Sequence, residues 1–229
     1  MRRISRYLPL LFVLPCCVPL ASAQSAFDLN FGVGAIHDSA SSTQLDQNAN
    51  TCPNAAEALP CESTASLSGV MLGFGGDLML KKKLGIGAEV AFQPAKETYL
   101  NLNPSAAAQG LTGESIQSRM TLYDFNGIYQ PISTKKVDVK IQAGIGGANL
   151  KFYESASSSS ALGSESQSQY LQSANHLNVH GGVGVDVFVT DHIFVRPEFN
   201  IHYVPNLTQF GSSAVITGMV WVGYSWGDR

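Results

Sequence analysis

Beyond residue 23 the sequence has no run approaching 18 apolar residues. A spanning α-helix takes roughly 20, so a helical membrane crossing is excluded there. Cysteine is scarce, with Cys16, Cys17, Cys52 and Cys61 and no others. A pair of thiols without neighbouring histidines is at most half a metal site, so no metal and no cofactor are expected. An excess of positive charge is also lacking: 14 Lys+Arg stand against 17 Asp+Glu. That balance argues against nucleic acid or anionic head groups as partners. What the sequence does have is glycine, with 22 residues, and apolar residues that recur at every second position.

The N-terminus carries its own signal. Met1-Arg2-Arg3-Ile4-Ser5-Arg6 is a positive segment, the apolar stretch from Tyr7 to Leu20 follows, and Ala21-Ser22-Ala23 supplies a small-x-small end. This is the layout of a secretory signal cleaved after Ala23. Leu14 and Pro15 precede Cys16-Cys17, where a lipoprotein signal would place small residues. The expected division is therefore a cleaved signal at 1–23 and one domain at 24–229. Loss of Arg2, Arg3 and Arg6 leaves 11 Lys+Arg against 17 Asp+Glu, a net charge of −6. Cys52 and Cys61 lie in a loop-like stretch with Pro53, Asn54 and Pro60. In an exported chain they are expected to form a disulfide.

From Phe27 onward the hydrophobic period is two rather than 3.6, which is the signature of half-buried strands. The first strand sets Phe27, Leu29, Phe31, Val33 and Ala35 against Asp28, Asn30, Gly32 and Gly34. The second, about 67–80, sets Val70, Leu72, Phe74, Leu78 and Leu80 against Gly69, Gly73, Gly75 and Asp77. The third opposes Leu84, Ile86, Ala88, Val90 and Phe92 to Gly85, Gly87, Glu89 and Gln93. The fourth, the weakest, has Tyr123, Phe125, Gly127 and Tyr129 on one face and Asp124 and Asn126 on the other. The fifth opposes Val137, Val139, Ile141, Ala143 and Ile145 to Asp138, Lys140, Gln142 and Gly144. The sixth opposes Leu177, Val179, Val183, Val185, Val187 and Val189 to Asn178, His180, Gly182, Gly184 and Asp186. The seventh opposes Ile193, Val195, Phe199, Ile201 and Tyr203 to Arg196, Glu198, Asn200 and His202. The eighth presents Ile216, Gly218, Val220, Val222, Tyr224 and Trp226.

Three connections are short: Lys81-Lys82-Lys83, a link near Pro131 to Lys136, and Thr190-Asp191-His192. The others, about 38–66, 95–115, 154–175 and 205–213, are long and rich in Ser, Ala, Asn and Gln. Short and long links alternate, as in a transmembrane barrel with short periplasmic turns and longer outer loops. Ser155-Ala156-Ser157-Ser158-Ser159-Ser160 is low-complexity and is expected to be a mobile part of one long loop.

The polar face must be the inside. An odd three-residue loop at 190–192 sets Asp186 opposite Arg196, Gly184 opposite Glu198, Gly182 opposite Asn200 and His180 opposite His202. Residues directly opposed in an antiparallel hairpin share a face, and glycine opposite a long side chain suits a narrow interior. The other face is Val, Ile, Leu and aromatic, without charge on the third, fifth, sixth, seventh and eighth strands. In water it would be an aggregation hazard; in lipid, Arg or Lys at mid-depth costs roughly 2–4 kcal/mol. Phe27, Tyr129, Tyr224 and Trp226 at one end, and Phe92, Tyr123, Phe199 and Tyr203 toward the other, are placed to form interfacial girdles. The expected fold is all-β: an eight-stranded antiparallel up-and-down transmembrane β-barrel.

Gly144-Ile145-Gly146-Gly147, Gly182-Val183-Gly184-Val185-Asp186, Val195-Arg196-Pro197-Glu198 and the closing Val220-Trp221-Val222-Gly223-Tyr224-Ser225-Trp226 resemble the small outer-membrane β-barrel family, the OmpA/OmpX-like eight-stranded proteins. Gly227-Asp228-Arg229 after the last aromatic departs from that family's C-terminal insertion signal. The resemblance implies a Gram-negative outer membrane, with its lipid and the barrel-assembly machinery as partners and a monomer as the default. No OmpA-type peptidoglycan-binding domain is expected beside the barrel, and the resemblance indicates location more than activity.

Glu89, Lys140, Asp186, Arg196 and Glu198 are expected to fill the lumen as ion pairs rather than line a pore. His180 and His202 are expected to be hydrogen-bonded lumen structure rather than a metal or acid/base site. His37-Asp38-Ser39 offers an imidazole and a hydroxyl, as the His-x-Ser pair of barrel lipid A deacylases does, but no third group is placed to orient the histidine. Lys81-Lys82-Lys83 could meet anionic head groups or peptidoglycan, or simply keep a turn soluble. The functional expectation is a non-enzymatic barrel displaying outer loops for surface contact or envelope integrity. A narrow pore for small solutes and a lipid-modifying enzyme are the alternatives.

Overall fold

The computed structural model describes residues 26–38, 67–101, 113–160, 163–205 and 213–227. The described residues form nine strands, eight of them at the period-two segments: β1 (Phe27–Asp38), β2 (Gly69–Lys81), β3 (Leu84–Phe92), β4 (Glu97–Asn101), β5 (Gly113–Ser133), β6 (Val137–Ser160), β7 (Gly163–Phe188), β8 (Ile193–Tyr203) and β9 (Ala214–Trp226). Eight of them close a ring. Chain neighbours pair antiparallel, β3 pairs with β5, and β9 returns to β1 in a ladder from Phe27↔Trp226 to Asp38↔Val215. This is the eight-stranded antiparallel barrel that the alternation predicts. The signal segment 1–23 and both Cys52 and Cys61 lie outside the described residues.

The ninth strand, β4, prolongs the third crossing. β3 pairs with β5 at residues 121–129 and β4 pairs with it at residues 115–118. Pro94 lies between them and has no N–H to continue a ladder. The elbow is held from the side instead. Gln93 N donates to Met120 O at 2.9 Å, Gln93 Nε2 to Leu67 O at 3.1 Å, and Gln93 Oε1 accepts from Met120 N at 2.7 Å. Arg119 donates to the carbonyls of both Gln93 and Pro94.

Two expectations about the loops are corrected. The stretch 154–175 is not a long loop but the continuation of β6 and β7, paired as far as Ser160↔Gly163, so Ser155-Ala156-Ser157-Ser158-Ser159-Ser160 is strand. The stretch 95–115 likewise holds β4 and the start of β5. Hydrophobic alternation marks a strand only where one face meets lipid or a core. A ladder without such a face can carry polar residues on either side and reads as loop. The alternation of short and long links is therefore an alternation in how far the chain travels before turning back; β6 and β7 are joined by residues 161–162 alone.

The outward face is the expected apolar belt, with Phe125 67% and Ile145 61% exposed beside Phe31, Phe74, Leu177 and Val222. At the short-turn end the rings of Phe27 and Trp226 stack at 5.7 Å, and Tyr224 lies 4.5 Å from Trp226. Above the belt charge returns to this face, with Arg119 opposite Lys151.

The inward face departs from expectation in one half. Toward the short turns it is polar. Toward the other mouth Ile36, Met71, Met120, Leu122, Leu150, Phe152, Val215, Met219 and Trp221 form a buried apolar cluster. Glycines make the room. Trp221 lies opposite Gly32, which lies opposite Gly73, and a Cβ on either glycine would collide with its indole. Phe194 uses Gly223 in the same way.

Gly73→Leu should therefore displace Trp221 and destabilise the fold by about 1–3 kcal/mol, the usual cost of overpacking. Gly218→Ala, where a Cβ meets nothing within 4 Å, should stay within about 0.5 kcal/mol. Urea unfolding in detergent, followed by heat-modifiable gel mobility, checks both.

Candidate functional site

The polar half of the lumen is built by the hairpin register together with ring closure. The β7–β8 ladder contains His180↔His202, Gly182↔Asn200 and Gly184↔Glu198, as the three-residue loop predicts. The ladder breaks at Pro197, which has no N–H, and resumes at Val187↔Val195. Across that break Arg196 Nε still reaches Asp186 Oδ1 at 2.5 Å.

Closure of the ring brings Asp77 from β2 across the lumen. Its Oδ2 accepts from Lys140 Nζ at 2.8 Å and from Arg196 Nη1 at 2.9 Å. Glu198 Oε2 stands 3.7 Å from Arg196 Nη1 and 3.9 Å from Lys140 Nζ. Gln142 Nε2 donates to Asn200 Oδ1 at 2.9 Å and Glu198 Oε1 at 3.2 Å, and lies 3.4 Å from Glu89 Oε1. Arg196 and Lys140 are each 1% exposed. The cluster is therefore buried within the bore.

A second group lies further up. Asp124 on β5, His180 on β7 and His202 on β8 converge, and the two imidazoles stack at 5.1 Å. Asp124 Oδ1 accepts from Asn178 Nδ2 at 2.6 Å, and His202 Nε2 lies 3.1 Å from Thr217 Oγ1.

All seven lumen residues expected from the sequence face inward, Glu89 half-buried and the other six buried. The structure divides them: Lys140, Asp186, Arg196 and Glu198, with Glu89 joined through Gln142, form one network, while His180 and His202 belong to another. Sequence reasoning put Asp77 and Asp124 on the polar face but did not make them the hub of either network. The apolar inner residues it passed over altogether, although alternation alone sets Met219 and Trp221 opposite Val220 and Val222.

Of the tripeptide at the end of β1, Ser39 lies outside the described residues. His37 Nδ1 instead lies 3.0 Å from Ser68 Oγ, at an exposed site. Among the described residues the hydrogen bonds and ion pairs of His37 include no carboxylate that would orient its ring.

Removing one partner of a buried ion network leaves the others uncompensated, at about 3–5 kcal/mol. Arg196→Met should cost about that much and reduce refolding yield. Lys83→Met, whose amine reaches Pro131 O at an exposed turn, should change stability by less than about 0.5 kcal/mol. Equilibrium unfolding of both variants in the same micelles decides.

Several solved structures resemble the chain in outline. Ail, the attachment invasion locus protein of Yersinia pestis, is 11% identical with a TM-score of 0.49, over 89% of this chain and 99% of that one. A major outer membrane protein from Thermus thermophilus is 12% identical with a TM-score of 0.49, over 88% and 99%. Neisserial surface protein A is 12% identical with a TM-score of 0.47, over 87% and 97%. No curated protein matches. The model of the outer membrane protein beta-barrel domain, in contrast, matches residues 8–225. With an apolar belt outside, a filled bore and a ladder closed from first strand to last, the chain belongs to that outer-membrane β-barrel family.

Proposed function

We propose that this chain is a non-enzymatic barrel of the Gram-negative outer membrane, exported by residues 1–23, whose projecting strands contact molecules at the cell surface. Lipid surrounds the belt, and the aromatic end of β9 serves recognition by the assembly machinery. The short turns, with Lys81-Lys82-Lys83 among them, face the periplasm.

The observation that carries this reading is the sheet above the ring. β8 ends at Tyr203, paired with Val179. Among the described residues the part of β7 from Gly163 to Asn178 pairs with β6 alone. On the opposite side β4 pairs with β5 alone. Among the described residues β4, β5, β6 and β7 thus form a four-stranded sheet beyond the barrel whose two edges pair with no further strand. Such an edge presents rows of N–H and C=O groups that add an extended segment of another chain. Lys96 braces the sheet, lying 4.1 Å over the Tyr153 ring and donating to Ser168 Oγ at 2.6 Å. Tyr153 and Tyr170 pack edge to face at 5.8 Å. Braced in this way, the sheet pays less ordering entropy on contact than a loop would.

The interior argues against the pore alternative. Any path through the bore meets the Asp77, Lys140 and Arg196 cluster and then the apolar cluster around Trp221.

Replacing residues 155–168 by Asn-Gly joins Glu154 to Gln169, which are already cross-strand partners, and removes the outer hairpin together with the β6 partners of residues 113–115 and the Lys96–Ser168 bond. The variant should keep a heat-modifiable folded band while cells carrying it lose attachment to surfaces; unchanged attachment would refute the contact role. In planar bilayers the wild-type barrel should show no steady conductance. A stable single-channel current that changes with Lys140→Ala would favour the pore instead.

A further inference from the structure

We propose that Asp124, His180 and His202 form a binding site for one divalent first-row transition-metal ion of the zinc type, enclosed in the barrel lumen. This does not depend on what the outer sheet contacts.

Three rigid strands deliver the three side chains, and glycines on β6 open the space between them. Asn126 lies opposite Gly144, which lies opposite His180; Asp124 lies opposite Gly146, which lies opposite Asn178. A Cβ on Gly146 would collide with Asp124, and one on Gly144 with the His180 ring. Both glycines are thus needed for β5 and β7 side chains to meet over β6.

The spacing fits a single ion. His180 Nδ1 lies 3.3 Å from Asp124 Oδ1 and His202 Nδ1 lies 3.8 Å from Asp124 Oδ2. One donor atom from each residue falls within 4.8 Å of the other two. Donors bound to one tetrahedral zinc at 2.0–2.2 Å stand about 3.4 Å apart. Two imidazoles and a carboxylate are a borderline-soft set that favours zinc and its neighbours over magnesium or calcium.

The histidine donors also lack other partners. Both ring nitrogens of His180 and Nδ1 of His202 are buried without a hydrogen bond, and the two side chains are 0% and 3% exposed. Leaving a buried polar atom unsatisfied is costly, and here Nδ1 of each imidazole lies beside the Asp124 carboxylate. A proton between one imidazole and Asp124 serves one histidine, whereas an ion serves both. The contacts behind the donors are those that aim ligands at a metal: Asn178 holds Asp124, and Thr217 takes the far nitrogen of His202. Charge points the same way. Among the described residues Asp28, Asp77, Glu89, Asp124, Asp138, Asp186 and Glu198 share the inward face with Lys140 and Arg196, seven carboxylates against two cations. A divalent ion offsets part of that excess. With the apolar cluster above and the ion pairs below, the ion enters as the barrel folds.

The test is to refold the chain from Gln24 onward in detergent with Zn²⁺, dialyse against a chelator, and measure zinc by elemental analysis. Wild type should retain about one equivalent, and Asp124→Asn and His180→Asn less than about a tenth of that. His192→Asn, whose ring stacks on Tyr224 at the short-turn rim, should retain it. Refolding wild type with Co²⁺ gives a readout independent of any variant's ability to fold: visible absorption of nitrogen- and oxygen-ligated cobalt is expected. A folded wild-type band without zinc and without that absorption overturns the proposal. So does zinc retained equally by Asp124→Asn and His180→Asn.

Discussion

Inside a hydrocarbon layer no backbone N–H or C=O can turn to water, so every one must be bonded within the chain. Strands meet that demand only when the first and last pair with each other. The β1–β9 ladder is therefore the contact on which the remaining structure depends. Its residues follow from that role: small or branched apolar groups such as Val33, Val220 and Val222 outside, and Gly32 and Gly34 within. An eight-strand ring also has a bore just wide enough for side chains to fill.

Filling that bore is the second constraint, and the chain meets it in two ways. Near the short turns it uses Arg196 and Lys140 bridged by Asp77, where each cation reaches more than one carboxylate. Near the other mouth it uses Trp221, Met219, Met71 and Leu150 as an ordinary hydrophobic core turned inside out. Large side chains cross the bore only because the facing positions are Gly32, Gly73, Gly182 and Gly223. Many of the described glycines thus serve the packing of the interior.

Beyond the membrane both constraints relax. β5, β6 and β7 continue as a ladder, and polar residues such as Ser155 and Ser168 pair across it. The β3–β4 elbow, held by Gln93 and Arg119, turns the edge of this sheet at the level where outward charge returns.

The sequence by itself determined which residues face lipid and which face inward, because a pleated strand alternates its faces with a period of two. It also determined contacts across a short turn, since an odd loop sets His180 against His202 and Glu198 against Gly184. Strands wetted on both faces were not legible, because without a one-sided environment no alternation is selected. Nor were partners across the bore. Lys140 and Asp77 lie 63 residues apart, and Arg196 and Asp77 lie 119 apart. Which of them meet depends on how far each strand is staggered against the next around the whole ring. That stagger accumulates over eight ladders, so the meeting of Asp124 with two histidines, and of Asp77 with two cations, was decided only when the tertiary structure closed.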